Sequence, residues 1–408
     1  MLLGNTRYET DTRVLAEAVS LVAAGYDVVV VAQGRAGRRQ IETIDGVVVR
    51  RFPEPPEATS FVRHVFETVW VTVACLVLAI RIALRQRVDA VHVHNPPDTL
   101  ALVAALFKLA GRPVVFDHHD LAPELYGANT PDGGRAIVRR VLEGFERLSC
   151  RLADRVVTAN GSHRDVEVER CGVDPSRIAI VRNGPDPDRV RRDPSAAPEP
   201  GSPFTVGWAG TIGHHDGLDH LLLAMRHLVD DHGLADARCV LFGDGPAFGD
   251  TRALAADLEL DDHVDFVGRV PVEELPRLLG VVDVCTVTDP SNAYNDRCTM
   301  IKVMEYMALE RPIVAYDLPE TRISAGESAL YVPPNDPRAF ASALALLAGD
   351  PQRRREMGDA GRRRVEESLA WRYSVPPLLR VYEDLLPAPA PRPRDPVPRA
   401  EAAVAPRP

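Results

Sequence analysis

Apolar, β-branched runs alternate with helix-length segments along most of the chain. The first series comprises "YDVVVVA" (26–32), "VVVRRF" (47–52), "AVHVH" (90–94), "PVVFDHH" (113–119), "RVVTAN" (155–160) and "IAIVRN" (178–183). Helical patterns such as Arg13 to Ala24 and Leu100 to Leu109 lie between them. Strands that are apolar throughout are buried on both faces, and intervening helices supply the cover, so the pattern predicts a parallel α/β sheet. Residues 191–203, "RRDPSAAPEPGSP", break the rhythm with four prolines and no apolar period, which marks a linker.

A second series follows: "FTVGWAG" (204–210), "ARCVLFGDG" (237–245), "HVDFVGRV" (263–270), "VVDVCTVT" (281–288), "RPIVAYD" (311–317) and "SALYVPP" (328–334). Two doubly wound units in tandem set two groups of strand carboxyl ends around one cleft, and open α/β sheets bind ligands outside those ends. The expected division is 1–190, a linker over 191–203, a second unit over 204–365, and a helix over 366–386 that returns to the first unit. Pro376 and Pro377 predict a kink or break in that helix. From Pro387 the chain is proline-rich and predicts a disordered tail over 387–408.

Val69 to Ile80, "VWVTVACLVLAI", is a run of twelve uncharged residues ended by Arg81. A membrane span needs about 20. The run predicts a buried or interface-facing helix, with peripheral contact to a bilayer as the alternative.

Composition narrows the function classes. The length of 408 residues exceeds one core and fits two domains. A net charge of -10 argues against a nucleic-acid partner. Six cysteines are scattered without a CxxC pair, the pattern of reduced thiols in a cytoplasmic protein and not of disulfides or a zinc site. "MLLGNTRYET" turns polar after three apolar residues, so no signal peptide is expected.

Three stretches carry candidate chemistry. "GWAGTIG" places Gly207, Gly210 and Gly213 after a strand and before a helix, and "FGDGP" repeats a glycine turn with Gly243 and Gly245. Such turns let backbone N–H groups approach a phosphate, and a ligand-free tight turn is the competing reading. "VFDHHDLAPELY" ends a strand with Asp117, His118, His119 and Asp120, where one histidine is placed for hydrogen bonding or acid–base work. Zinc and a purely structural histidine are the rivals, and "VHVHNPPD" adds His92 and His94 on one strand face. "NDRCTMIKVMEYMALERPIVAYD" is a loop, helix and strand in which Lys302 and Glu305 share a helical face. Arg297 and Lys302 suit a diphosphate at the helix start, and Glu305 suits ribose hydroxyls. A Lys302–Glu305 surface pair is the structural alternative.

"GWAGTIGHHDGLDHLLLAM", "LFGDGP", "VDFVGRVP", "IKVMEYMALERPIVAYDL" and "SALYVPPNDP" together resemble the C-terminal half of GT-B retaining glycosyltransferases of family four, above all bacterial polysaccharide-building members. The likeness extends through "YETDTRVLAEAVSLVAAGYDVVVVA", "VHVHNPPD" and "FDHHDLAPELY" and covers about residues 1–386. The resemblance implies two Rossmann-like domains facing a cleft, and transfer from a UDP-linked sugar to a glycan, lipid-linked or small-molecule acceptor. It implies a donor site drawn from Gly210, Thr211, Gly213, Gly243, Gly245, Arg269, Asp296, Arg297, Thr299, Met300, Ile301, Lys302 and Glu305. The acceptor side would comprise His94, Asn95, Asp98, His118 and Asp120, with His119 lining the cleft near the donor sugar. No metal is implied.

Glu305 matches the second Glu of the family's Glu-x7-Glu motif, but Arg297 stands at the first, with Asp296 beside it. The usual Arg and Lys of the glycine turn are also absent, since "GTIGHHDG" offers Thr211 and Asp216. Two alternatives stay in view: a nucleotide-sugar 2-epimerase of the same fold, which would need acidic catalytic residues in the cleft, and a catalytically silent assembly partner, which these departures support. "MLLGN" also leaves a shorter first strand than the resemblance implies.

Overall fold

The structure, a computed structural model, describes residues 1–34, 39–55, 61–130, 133–193, 195–196 and 201–388. The tail from Pro389, and Pro194 with 197–200 of the linker, lie outside these residues. The strands are β1 (Val29–Gly34), β2 (Ile41–Ile44), β3 (Val47–Pro53), β4 (Val91–His94), β5 (Val114–His118), β6 (Arg155–Thr158), β7 (Ile178–Ile180), β8 (Thr205–Ala209), β9 (Arg238–Phe242), β10 (Val264–Gly268), β11 (Val284–Val287), β12 (Ile313–Tyr316) and β13 (Ala329–Val332). Helices α1 (Thr12–Ala23), α2 (Phe61–Ala83), α3 (Ala101–Leu109), α4 (Ala122–Ala128), α5 (Ala136–Leu152) and α6 (Gly161–Glu169) belong to the first unit. The second has α7 (Leu218–Asp230), α8 (Phe248–Asp257), α9 (Leu275–Gly280), α10 (Ile301–Ala308), α11 (Pro319–Ala325), α12 (Pro337–Ala348) and α13 (Pro351–Arg364), and α14 (Val375–Glu383) follows.

The second sheet runs β10-β9-β8-β11-β12-β13, all parallel. Renumbered within the unit this is the 3-2-1-4-5-6 order of doubly wound folds, whose switch point lies between β8 and β11. Residues after Ala209 and after Val287 therefore face the ligand crevice.

In the first unit β1-β3-β2 and β4-β5-β6-β7 are joined by Leu2, which bridges Val31 and Val93 in parallel. Leu2 N donates to His92 O at 2.8 Å and Leu3 N to Val31 O at 2.9 Å, so the short first strand is a minimal ladder. Its switch point lies beside Asn95 and Pro97. The added strand β2 is antiparallel to β3 at the sheet edge, and its partly exposed pattern hid it among charged residues.

Strands β4, β5, β11 and β12 are buried at every position, as continuous apolar runs require. In the first unit α2, α3 and α5 contribute to the core on one sheet face, and α1 and α14 to the other. Pro376 and Pro377 occupy the first turn of α14 and do not kink it. At that turn the proline loses no helical hydrogen bond, so the residues set where the helix starts. Trp371 N donates to Pro185 O and Tyr382 Oη meets His92 Nδ1 at 2.7 Å, tying this segment to the first sheet.

Candidate functional site

The carboxyl ends of the two sheets meet. Asn160, which caps α6 through His163 N, donates to Arg297 O at 2.8 Å and Thr299 Oγ1 at 2.9 Å. Ser162 Oγ donates to Glu320 Oε1 at 2.7 Å, and Tyr294 Oη to Asp120 Oδ1 at 3.1 Å. His215 Nδ1 lies 2.9 Å from Asn129 Oδ1. The walls of the site are thus in register across the cleft.

On the second unit the two glycine turns pack on each other. A side chain at Gly243 would meet Gly210 O at 1.9 Å, and one at Gly245 would meet Ile212 O at 2.6 Å. Gly243 and Gly245 therefore serve backbone approach between turns, while Gly210 and Thr211 are exposed at the crevice. Gly213 N donates to Asp216 Oδ2 at 3.0 Å, which fills with a side chain the place a phosphate oxygen was expected to take. Gly217, left-handed at φ 67, starts α7 where any side chain would strike Thr288 O.

Lys302 corrects an expectation. Its ammonium does not stand free at the helix start: Nζ lies 3.0 Å from both Asp216 Oδ1 and Asp289 Oδ1, and 5.0 Å from the Trp208 ring centroid. Nor is it paired with Glu305 among the described residues. Burial alone would lower the Lys302 pKa, but Asp289 and Asp216 hold it above its usual value. Burial and the Asp216 charge push Asp289 up, with Lys302 opposing.

Glu305, one turn further along α10, is partly buried, and its carboxylate has no hydrogen bond or ion pair among the described residues. Burial raises its pKa. Of its neighbours, Arg297 spends Nη1 on Ala293 O at 2.8 Å, and Asp296 accepts from Ser291 at 3.2 Å while its Oδ1 is buried without a partner. Arg269 is exposed, and Met300 and Ile301 are partly buried where α10 begins.

The histidines of the first unit divide. His119 is partly exposed, its Nδ1 is 3.2 Å from Asp117 Oδ2, and its other ring nitrogen is left for the cleft. Burial would lower its pKa, but Asp117 and Asp120 raise it overall. His118 points the other way, fully buried between Glu167 at 3.1 Å and Glu146 at 3.3 Å. These carboxylates overcome burial and raise its pKa well above the usual value; enclosed between them, His118 packs inside the first unit and not on the acceptor side.

His94, Asn95 and Asp98 are also fully enclosed, against expectation. Asn95 fastens the turn below His119, donating to Asp120 O at 2.6 Å and accepting from His119 N at 3.0 Å. Neither Asp98 carboxylate oxygen has a partner, and burial pushes its pKa up to about 6. Only Asp120 of that group is partly exposed.

Sequence reading missed Arg13 and Glu17. Glu17, His92, His94 and Asp117 bring ligand atoms within 4.8 Å of one another, a set that resembles a metal site. Arg13 already occupies it: its guanidinium grips Asp117 with two bonds of 2.7 Å and lies 3.4 Å from Glu17. That fixed cation counters burial and, with His119 and His94, holds Asp117 well below the usual carboxylate range.

Two family models match this chain. Glycosyltransferase Family 4 covers residues 11–189, and Glycosyl transferases group 1 covers 203–350. The chain belongs to this group of glycosyltransferases. Among relatives, 2-deoxystreptamine glucosyltransferase of Streptomyces kanamyceticus is 24% identical over 77% of this chain and 82% of its own length. Sucrose-phosphate synthase of Thermosynechococcus elongatus superposes with a TM-score of 0.76 at 18% identity, covering 91% of this chain and 92% of that one. HepE of Anabaena, solved in complex with UDP-glucose, gives 0.68 at 15%, covering 94% and 98%. The GT-B fold follows from these likenesses.

Proposed function

We propose that this glycosyltransferase moves a sugar from a UDP-linked donor to a glycan, lipid-linked or small-molecule acceptor with retention at the anomeric carbon. The carrying observation is Glu305: a partly buried carboxylate without a protein partner, on the helix that borders the crevice, is placed to accept from sugar hydroxyls. A fold shared with a protein solved with UDP-glucose supports the donor class. Six free, buried thiols support a cytoplasmic setting, and cytoplasmic polysaccharide assembly is the matching role.

In this reading the departing diphosphate meets N–H groups at the start of α10 and the Arg297 and Arg269 side chains, because Lys302 is already neutralised by two carboxylates. Lys302 orders the switch-point carboxylates. His119 offers its free ring nitrogen to a donor-sugar hydroxyl, with Asp117 fixing the ring. The leaving phosphate takes the acceptor's proton, so no further base is required. No resident metal takes part, since Arg13 fills the one cluster of metal-type ligands found among the described residues.

The same neutralised Lys302, together with Arg297 at the first Glu position, favours a second reading: a silent partner that has lost turnover. A thermal-shift panel of nucleotide sugars separates the two, because a bound ligand raises apparent stability by mass action. A UDP-sugar that raises the midpoint and is consumed with acceptor, giving the retained anomer by NMR, supports transfer. Absence of any nucleotide effect overturns it.

A further inference from the structure

Helix α2 is apolar on two stripes. Val71, Cys75, Ala79 and Ile82 face the core of the first sheet. The opposite stripe, Val62, Phe66, Val69, Val73, Val77 and Ile80, recurs every three or four residues and is exposed, with Val69 at 55% and Val73 at 52%. Helix α3 lies beside it, Thr72 Oγ1 meeting Thr99 Oγ1 of the turn that leads into α3 at 2.7 Å, and adds exposed Leu102, Leu106 and Leu109. Helix α5 extends the face with exposed Ile137 and Val141. Scattered exposed apolar residues are ordinary, but a face continuous over three helices marks an interaction surface.

Charge identifies the occupant. The whole chain carries -10, yet residues 61–112 hold six cations (Arg63, Arg81, Arg85, Arg87, Lys108, Arg112) against three acids (Glu67, Asp89, Asp98), one of them buried, with Arg87 paired to Asp89 and Lys108 to Asp154. Exposed Arg139 and Arg140 of α5 adjoin Ile137 and Val141, Arg139 lying 3.9 Å from Glu143. An apolar stripe rimmed by cations on an otherwise acidic protein complements an anionic lipid surface. A symmetric pairing with a second copy would instead set these cations against each other. The length and hydropathy of α2 suffice for a span, but its Val71–Ile82 stripe seals the sheet and keeps the helix on the protein.

We infer that the exposed face of α2, α3 and α5 docks on an anionic bilayer, with α2 lying in the interface plane. Trp70 Nε1 donates to Pro53 O at 3.1 Å, at the carboxyl end of β3, so the first half of α2 adjoins the cleft side of the sheet. Docking in this pose sets the cleft beside the headgroups and selects a lipid-linked acceptor, a refinement that rests on the transfer reading. Docking itself does not, and it is measured without turnover.

The test is flotation of the full chain with vesicles of phosphatidylcholine alone or equimolar with phosphatidylglycerol, with Trp70 emission as a second readout. Wild type is expected to float with the anionic vesicles and to shift Trp70 emission to the blue, a shift absent in Trp70→Phe. Val69→Glu with Val73→Glu should cut the floating fraction about tenfold or more. Leu106→Glu on α3 serves as an independent variant should the first pair fold poorly. Wild type that stays with neither vesicle, or glutamate variants that float like wild type, overturn the proposal. So does a dimer in solution that Val69→Glu with Val73→Glu dissociates, since it assigns the face to a second copy.

Discussion

Replacing Lys302 by Met tests whether its ammonium serves the fold or a ligand. Its side chain is 10% exposed, and its two partners Asp216 and Asp289 are 13% and 0% exposed. Met keeps the stem over Trp208 and deletes only the charge. Breaking a buried pair from one side costs about 3–5 kcal/mol, because the remaining charge is left uncompensated. Asp289 limits the loss by taking a proton, since burial already raises its pKa. A carboxylate with a raised folded pKa is harmless below its unfolded pKa and costs stability as pH rises through the folded one. The deficit of Lys302→Met should therefore be largest at about pH 8 and shrink toward about pH 5. Adding Asp289→Asn should restore a large part of it. Urea unfolding of the four proteins of this cycle, at both pH values, reads the midpoints directly. The opposite pattern refutes the reasoning: Lys302→Met within about 0.5 kcal/mol of wild type, with transition-state binding per folded molecule reduced roughly 10- to 100-fold. That result would return Lys302 to the diphosphate.

Glu305→Gln should weaken UDP-sugar binding roughly 10- to 100-fold, the value of about 1.5–3 kcal/mol for a hydrogen bond to a charged group, without lowering the melting temperature. Calorimetry and thermal unfolding on one preparation check both halves. Asp98→Asn should stabilise the protein in a pH-dependent way. The wild-type carboxyl titrates at about 6 when folded and at 3.8 otherwise, so its contribution is intact below about pH 4 and lost as pH rises through about 6. The Asn variant should match wild type near pH 4 and exceed it by up to about 3 kcal/mol at pH 8 in denaturant titrations. Turnover should survive EDTA, and loss in chelator that is restored by added metal would contradict the occupation of the Glu17–Asp117 cluster by Arg13.

What the sequence exposed, and what it concealed, follows from the range of the interactions involved. Strand-to-helix alternation is local, so the strands of both parallel sheets were legible, down to the crevice that the order around β8 and β11 creates. β2 escaped because a half-exposed edge strand of four residues offers too few buried positions. Pro376 and Pro377 were visible, but whether they break a helix or begin one depends on where Trp371 and Tyr382 dock on the first sheet. At the site the same division holds. Lys302 and Glu305 were found through their shared helical face, yet Asp216 lies 86 residues and Asp289 13 residues before Lys302, and no local pattern announces those pairings. His118 and His119 are the sharpest case. Consecutive residues at the end of a strand point to opposite faces, so only one of the two can reach the cleft. The carboxylates decide which: Glu146 and Glu167, on α5 and α6, hold the first inward, while Asp117 steadies the second beside the cleft. Which histidine of this chain stands beside the cleft is thus specified less by its own position than by acids on helices distant in sequence that claim its neighbour.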